Sequence, residues 1–210
     1  MDGVPRPLVI LASLAQATPP LQLLDWYRAE GTQIVKKGRR GRDMDFDHST
    51  RLSINCLTMQ QHPHALEILR LIAILPDGAE KARLEEMFPT MTRQRELGEA
   101  TRTLLQLALV EDYFGYLKVL APIRNFMQHR YPPAQAAHWQ ELEQYYERLA
   151  QSGVHVGKSR GAECMKRPTK EFRNVVTVMR HALTTSTPPA PLIEAIVESA
   201  RFAWVAKEDN

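Results

Sequence analysis

Cysteine is scarce: Cys56 and Cys164 are the only two in 210 residues. A disulfide framework is therefore excluded, which fits a reducing compartment. Excess charge of one sign is also missing, because 27 basic and 24 acidic side chains leave a formal charge of +3. That balance argues against a chain built around nucleic-acid phosphates or anionic lipid. Long apolar runs are absent. The longest near the start covers residues 8–12, far short of the roughly 20 residues a spanning helix needs. Met1-Asp2-Gly3 begins with an acid and lacks the basic n-region of a secretory signal, so a cytoplasmic, non-membrane chain is expected. What the sequence does have is a 44% hydrophobic fraction, enough to bury a core, and 24% charge, near the globular average. The length fits one large domain or two to three small ones.

Catalytic signatures are lacking as well. No serine, histidine and acid fall into a nucleophile elbow, and none of the seven histidines sits in zincin spacing. Gly153-Val154-His155-Val156-Gly157-Lys158-Ser159 resembles a phosphate-binding loop, but three residues separate the glycines where four are required. The preceding segment also reads as a helix and not the buried strand that aims such a loop. His62-Pro63-His64 is the one close histidine pair; proline holds the rings apart and no nearby cysteine or acid completes a zinc site. Cys56 lies among apolar residues and reads as a small core residue, whereas Cys164 reads as exposed. The chain is expected to perform no chemistry alone, with no catalytic and no metal-binding residues.

Apolar spacing of three and four dominates and predicts a mainly α fold. A short buried helix is expected over 5–17. Thr18 is expected to cap a second helix that opens with Pro19-Pro20 and ends at Gly31. Residues 36–47 (KKGRRGRDMDFD) read as a charged, mobile connector. Residues 65–75 are apolar almost all round, the mark of a helix at the centre of a domain, and Pro76-Asp77-Gly78 should terminate it. Short helices follow at 84–88 and 92–107. A hairpin comes next, with Leu109 and Val110 on one strand, Phe114-Gly115 at the turn, and Leu117 and Val119 on the other. Helices followed by a hairpin are the order of a winged helix. Amphipathic helices are then expected at 138–149 (Trp139, Leu142, Tyr146, Leu149), 172–183 (Phe172, Val175, Val176, Met179, Leu183) and 192–204 (Leu192, Ile196, Ala200, Trp204). They suggest a helical array, without a clean repeat at a fixed period. The pattern divides the chain into helices at 1–60, a winged-helix subdomain at 61–132 and further helices at 133–210.

A winged helix invites a DNA-binding reading, with the helix 92–107 in the groove and Arg93, Gln94, Arg95 and Arg102 facing the duplex. Glu96 and Glu99 share that helix, and the hairpin sets Glu111 and Asp112 against a single Lys118. Phosphate contacts dominate duplex affinity, and this surface offers little net positive field. A DNA-binding winged-helix regulator is therefore the alternative reading.

Gly3-Val4-Pro5-Arg6-Pro7-Leu8 resembles the Gly-x-Pro segment of the NB-ARC signalling ATPases, the STAND class. Residues 23–35 resemble the helices after that segment. Residues 62–78 and Leu84-Glu85-Glu86-Met87-Phe88-Pro89 are similar to the winged-helix subdomain of the family, and residues 119–127 to its close. The later helices resemble the start of a TPR-like array in fungal, NLR-like members, so the resemblance implies an ARC-like helical subdomain at 1–60, a winged-helix subdomain at 61–132 and a TPR-like segment at 133–210. The resemblance implies that Gly3 and Pro5 contribute a cofactor site, with Pro5 packing on the adenine of ADP once a P-loop domain is present. It implies no cofactor for this chain alone, and ADP or ATP for a full-length relative. The P-loop domain of the family precedes this segment, and neither Walker motif occurs here. The chain is thus expected to be a C-terminal part or a truncated paralogue, whose partners are a P-loop domain or full-length paralogue and proteins bound through the C-terminal helices. Relatives carry Met-His-Asp where this chain has Leu120-Ala121-Pro122; alanine offers no donor to a phosphate. The function so implied is non-catalytic: regulation and protein contact in a nucleotide-dependent signalling switch.

Overall fold

Residues spaced by three and four turn into helices through most of the chain, as seen in a computed structural model that describes residues 6–16, 18–35, 42–90, 94–132, 136–152 and 170–185. The first helix, α1 (Arg6–Ala15), buries Ile10 and Leu14, one turn apart, on the side facing α3 (Arg42–Asn55). Between them runs α2 (Pro20–Val35), with proline in its first turn where the missing N–H costs nothing. Thr18 is not its cap. The Thr18 N–H donates to Leu14 O at 2.9 Å and closes α1 instead. Gly31 does not end α2 either: the helix continues to Val35. One interior glycine costs about 1 kcal/mol of propensity, which the hydrogen bonds of the following turn can offset. The charged connector is shorter than expected, because Arg42–Asp47 is already helical.

Cys56 is buried at the bend between α3 and α4 (Leu57–Gln61). The apolar run forms α5 (Pro63–Ile72), which buries Ala65, Ile68, Leu69, Leu71 and Ile72. It stops before the run does, as Ile74 and Leu75 switch to tighter bonds from their N–H groups to Leu71 O and Ile72 O. Then follow β1 (Ala79–Glu80), a 3-10 turn at Lys81–Arg83, α6 (Leu84–Met87), α7 (Gln94–Gln106), β2 (Glu111–Tyr113) and β3 (Tyr116–Lys118). The strands form one antiparallel sheet in the order β1-β3-β2, with Ala79 opposite Leu117 and Tyr113 opposite Tyr116.

The hairpin turns at Phe114-Gly115 as expected, but Leu109 and Val110 are not strand. Ala108 takes φ +54 and lets the Leu109 N–H return to Leu104 O at 3.0 Å, so these residues close α7. Strand β1 escaped the sequence reading because two residues carry no period. After the sheet come α8 (Ala121–Arg130), with Pro122 in its first turn, then α9 (Ala136–Ser152) and α10 (Phe172–Thr185), which pack on each other. The buried stripe of α10 is Val175, Val178, Met179 and Ala182, whereas Leu183 is exposed. The stripe follows i, i+3, i+4, i+7 from Val175, and Leu183 lies one residue past it. The expected helix at 192–204 lies outside the described residues. Buried apolar side chains from Ile10 in α1 to Ala182 in α10 form one contiguous core. No helix among the described residues is long and apolar enough to cross a membrane.

Candidate functional site

Two built features stand out. The first is a polar clamp around the turn after α5. A helix C-terminus leaves carbonyls without partners, and here side chains from later helices supply donors. Gln128 Nε2 reaches Ala73 O at 2.9 Å, and an Arg124 guanidinium nitrogen reaches both Pro76 O and Val119 O at 3.1 Å. Asn174 of α10 bonds the turn from both ends of its amide. Its Oδ1 accepts from the Asp77 N–H at 2.8 Å, and its Nδ2 donates to Gly78 O at 2.8 Å. The Asp77 carboxylate reciprocates. Its Oδ2 accepts from the Arg173 N–H in the first turn of α10 at 2.9 Å, and its Oδ1 accepts from Arg173 Nε at 2.7 Å. This is a capping carboxylate delivered from a distant turn, at the end of a helix where negative charge is favoured.

Behind the clamp lies a buried chain of hydrogen bonds. Asn174 Nδ2 donates to Tyr146 Oη at 3.1 Å, and Tyr146 Oη donates to Glu171 Oε2 at 3.0 Å, with all three residues fully buried. Burial, then the Glu171 carboxylate, push the Tyr146 phenol well above its ordinary range, so it stays a donor. Desolvation, helped by nearby Arg173 and opposed by Asp77, lowers the Arg124 guanidinium from its ordinary value. Nearby, Glu141 of α9 accepts from both the N–H and the hydroxyl of Thr90. The clamp and the Glu141–Thr90 contact fix α9 and α10 to the segment that carries the sheet.

The second feature is a groove of about 480 Å³ between the 3-10 turn, α6 and α7. Leu84, Leu97 and Leu105 give it apolar walls, and Lys81, Glu85 and Arg102 stand at its sides. Gly98 opens it: a Cβ placed there meets nothing within 4 Å. At one end the groove adjoins the hairpin. The Lys81 N–H donates to Gly115 O at 2.8 Å, and Lys81 Nζ pairs with Asp112 Oδ2 at 3.2 Å. Asp112 Oδ1 also accepts from the Gly115 N–H at 2.9 Å, and these two donors lower the Asp112 carboxyl below its ordinary range, the Gly115 N–H most.

Gly3 and Pro5, the residues expected to touch adenine, lie outside the described residues, as do Arg93, His155, Gly157, Lys158, Ser159 and Cys164. So do the side chains of Gln94 and Arg95. Arg102 is exposed and flanks the groove. His62 precedes α5, and His64 in its first turn lies 4.0 Å from the Glu96 carboxylate. Among the described residues no three histidines, cysteines or acids gather as a metal site. Sequence reasoning missed the clamp, whose members are nearly a hundred residues apart. It also missed the groove, although Gly98 inside a helical pattern was a visible signal. Comparison with protein-family models, curated proteins and solved structures finds no match.

Proposed function

We propose that this chain is a non-catalytic regulatory and interaction segment of a STAND-type switch: an ARC-like bundle, a winged helix and the start of a TPR-like array. The observation that carries the reading is the order α5-β1-α6-α7-β2-β3 with sheet order β1-β3-β2. In that order a helix leads into a first strand, two helices follow, and a hairpin returns its second strand beside the first. The helices before it and the antiparallel pair α9–α10 after it fit the neighbours expected of such a subdomain. The clamp supports a switching role. A partner that moves the winged helix must carry α10 with it, because Asp77, Arg173 and Asn174 tie the two together.

In this reading ADP bridges a P-loop domain and the helical subdomains, and holds them closed. ATP shifts the balance only by its differential affinity for the two states. Pro5 alone supplies one apolar contact worth about 1–2 kcal/mol, far below the roughly 8 kcal/mol of micromolar binding, so the chain needs its P-loop partner to hold nucleotide. The DNA-binding alternative asks α7 to present a convex basic face. Gly98 instead hollows that face, and Glu96 and Glu99 share the helix with Arg102. The test is association of the chain with a labelled P-loop domain from an NB-ARC protein. Binding that is tighter in ADP than in ATP supports the proposal. Nucleotide-independent behaviour, together with tight binding to one duplex sequence lost in Arg102→Ala, overturns it in favour of the DNA reading.

A further inference from the structure

A helix buried nearly all round is normally apolar, and in α5 every buried residue is. The second half of α3 departs from that rule. From residue 48 to residue 54 every side chain but Arg51 is buried, and His48, Ser49, Thr50 and Ser53 among them are polar. His48 stands T-shaped against the Tyr27 ring of α2, with centroids 4.4 Å apart. Serine and threonine inside a helix commonly return the hydroxyl to the carbonyl one turn earlier, as Ser13 does to Val9 O at 2.9 Å in α1. Thr50 and Ser53 do not. Both side chains are fully buried, and neither hydroxyl has a hydrogen-bond partner. A buried polar group left unpaired carries its full desolvation penalty, and here the penalty falls on the closed, packed form of α3.

Packing decides which part gives way. α1 and α2 pack chiefly on α3, and α3 in turn carries them onto α4 and α8. The clamp ties the turn after α5 to α8 and α10 and draws no side chain from α1, α2 or α3. We infer that α1–α3 form a cover that opens by local unfolding while the sheet segment, α9 and α10 stay folded. Opening hydrates the Thr50 and Ser53 hydroxyls, so the penalty of burying them is released at that step. This places the cover at the low-stability end of the molecule, where cooperative units open below the global free energy. The inference rests on the packing of α3 and not on a nucleotide or a P-loop domain, so its failure is separable from that of the proposed switch.

The experiment is amide hydrogen exchange, read by mass spectrometry on the full chain and three variants and corrected for intrinsic rates. In the parent the amides of α1, α2 and α3 are expected to exchange as a group, at least about tenfold faster than those of α5. Thr50→Val removes the hydroxyl at nearly unchanged shape and helix propensity, and should slow the group about fivefold or more. Thr50→Ser keeps the hydroxyl and should not slow it. Val178→Ala cuts a buried side chain of α10, which packs on α9. It should speed exchange in α9 and α10 and leave α1–α3 unchanged, because it weakens the open and closed forms of the cover alike. Amides of α1–α3 as protected as those of α5 overturn the inference. So does a Thr50→Val chain that exchanges no slower than the parent, or a Val178→Ala chain in which α1–α3 speeds up as much as α10.

Discussion

Gly78→Ala tests whether the turn after α5 is held as tightly as the clamp requires. Gly78 sits at φ +82, a conformation that costs an L-residue about 1–2 kcal/mol. A Cβ at this position would stand 2.5 Å from Leu117 O and 2.8 Å from Lys118 Cγ. The lysine stem can swing away, but the Leu117 carbonyl belongs to β3, where Leu117 faces Ala79 in β1. Relief therefore means prising β1 from β3, and it also displaces Gly78 O from Asn174 Nδ2. The expected total is about 3 kcal/mol or more, well above the ~1 kcal/mol of an average substitution and a large share of an ordinary 5–15 kcal/mol stability. Gly115→Ala is the internal control. Its φ is also +82, yet a Cβ there meets nothing within 4 Å, so only the backbone cost of about 1–2 kcal/mol applies. Guanidinium unfolding of both variants separates the steric part from the conformational part. Equal losses in the two would refute the close approach between the turn and β3.

Other expectations follow from single positions. Ile72→Ala, at a fully buried position of α5, should cost about 2–5 kcal/mol in the same melts. Tyr146→Phe strips the hydroxyl shared by Glu171 and Asn174 and should cost about 1–3 kcal/mol, since two buried polar groups lose a partner. The Asp112 carboxyl titrates lower in the folded hairpin than in the unfolded chain. Its contribution is therefore present above the ordinary carboxylate range and is lost as pH falls through the lowered value. Protection of the Gly115 amide, measured against its intrinsic exchange rate at each pH, should fall over that acidic window in the parent and not in Asp112→Asn. The chain alone should not hydrolyse ATP, checked by phosphate release against Lys158→Ala.

Much of the helix content was legible because burial repeats with the helical period. Ile68, Leu69, Leu71 and Ile72 marked the central helix directly, and Leu142, Tyr146 and Leu149 marked the inner face of α9. Punctuation misled where local preference met tertiary packing. Gly31 failed to stop α2, and Ala108 rather than a glycine took the left-handed position after α7. The site was less legible for a physical reason. Asp77 and Asn174 recognise each other across 97 positions, and nothing in the spacing of either segment encodes that meeting. The groove depends on an absence, the missing side chain of Gly98, which reads in a sequence only as a weak point in a helix.

If the chain closes on a nucleotide-bearing P-loop domain as proposed, calorimetric titration of ADP into such a domain, with and without the chain, reads the coupling between them. Coupling is reciprocal: whatever factor ADP adds to the association of chain and domain, the chain must add to the affinity for ADP. The domain is expected to bind ADP at least about tenfold more tightly when the chain is present, equivalent to roughly 1.4 kcal/mol. The gain should be absent for ATP and lost in Pro5→Gly. Identical ADP affinity with and without the chain would contradict the proposed switch.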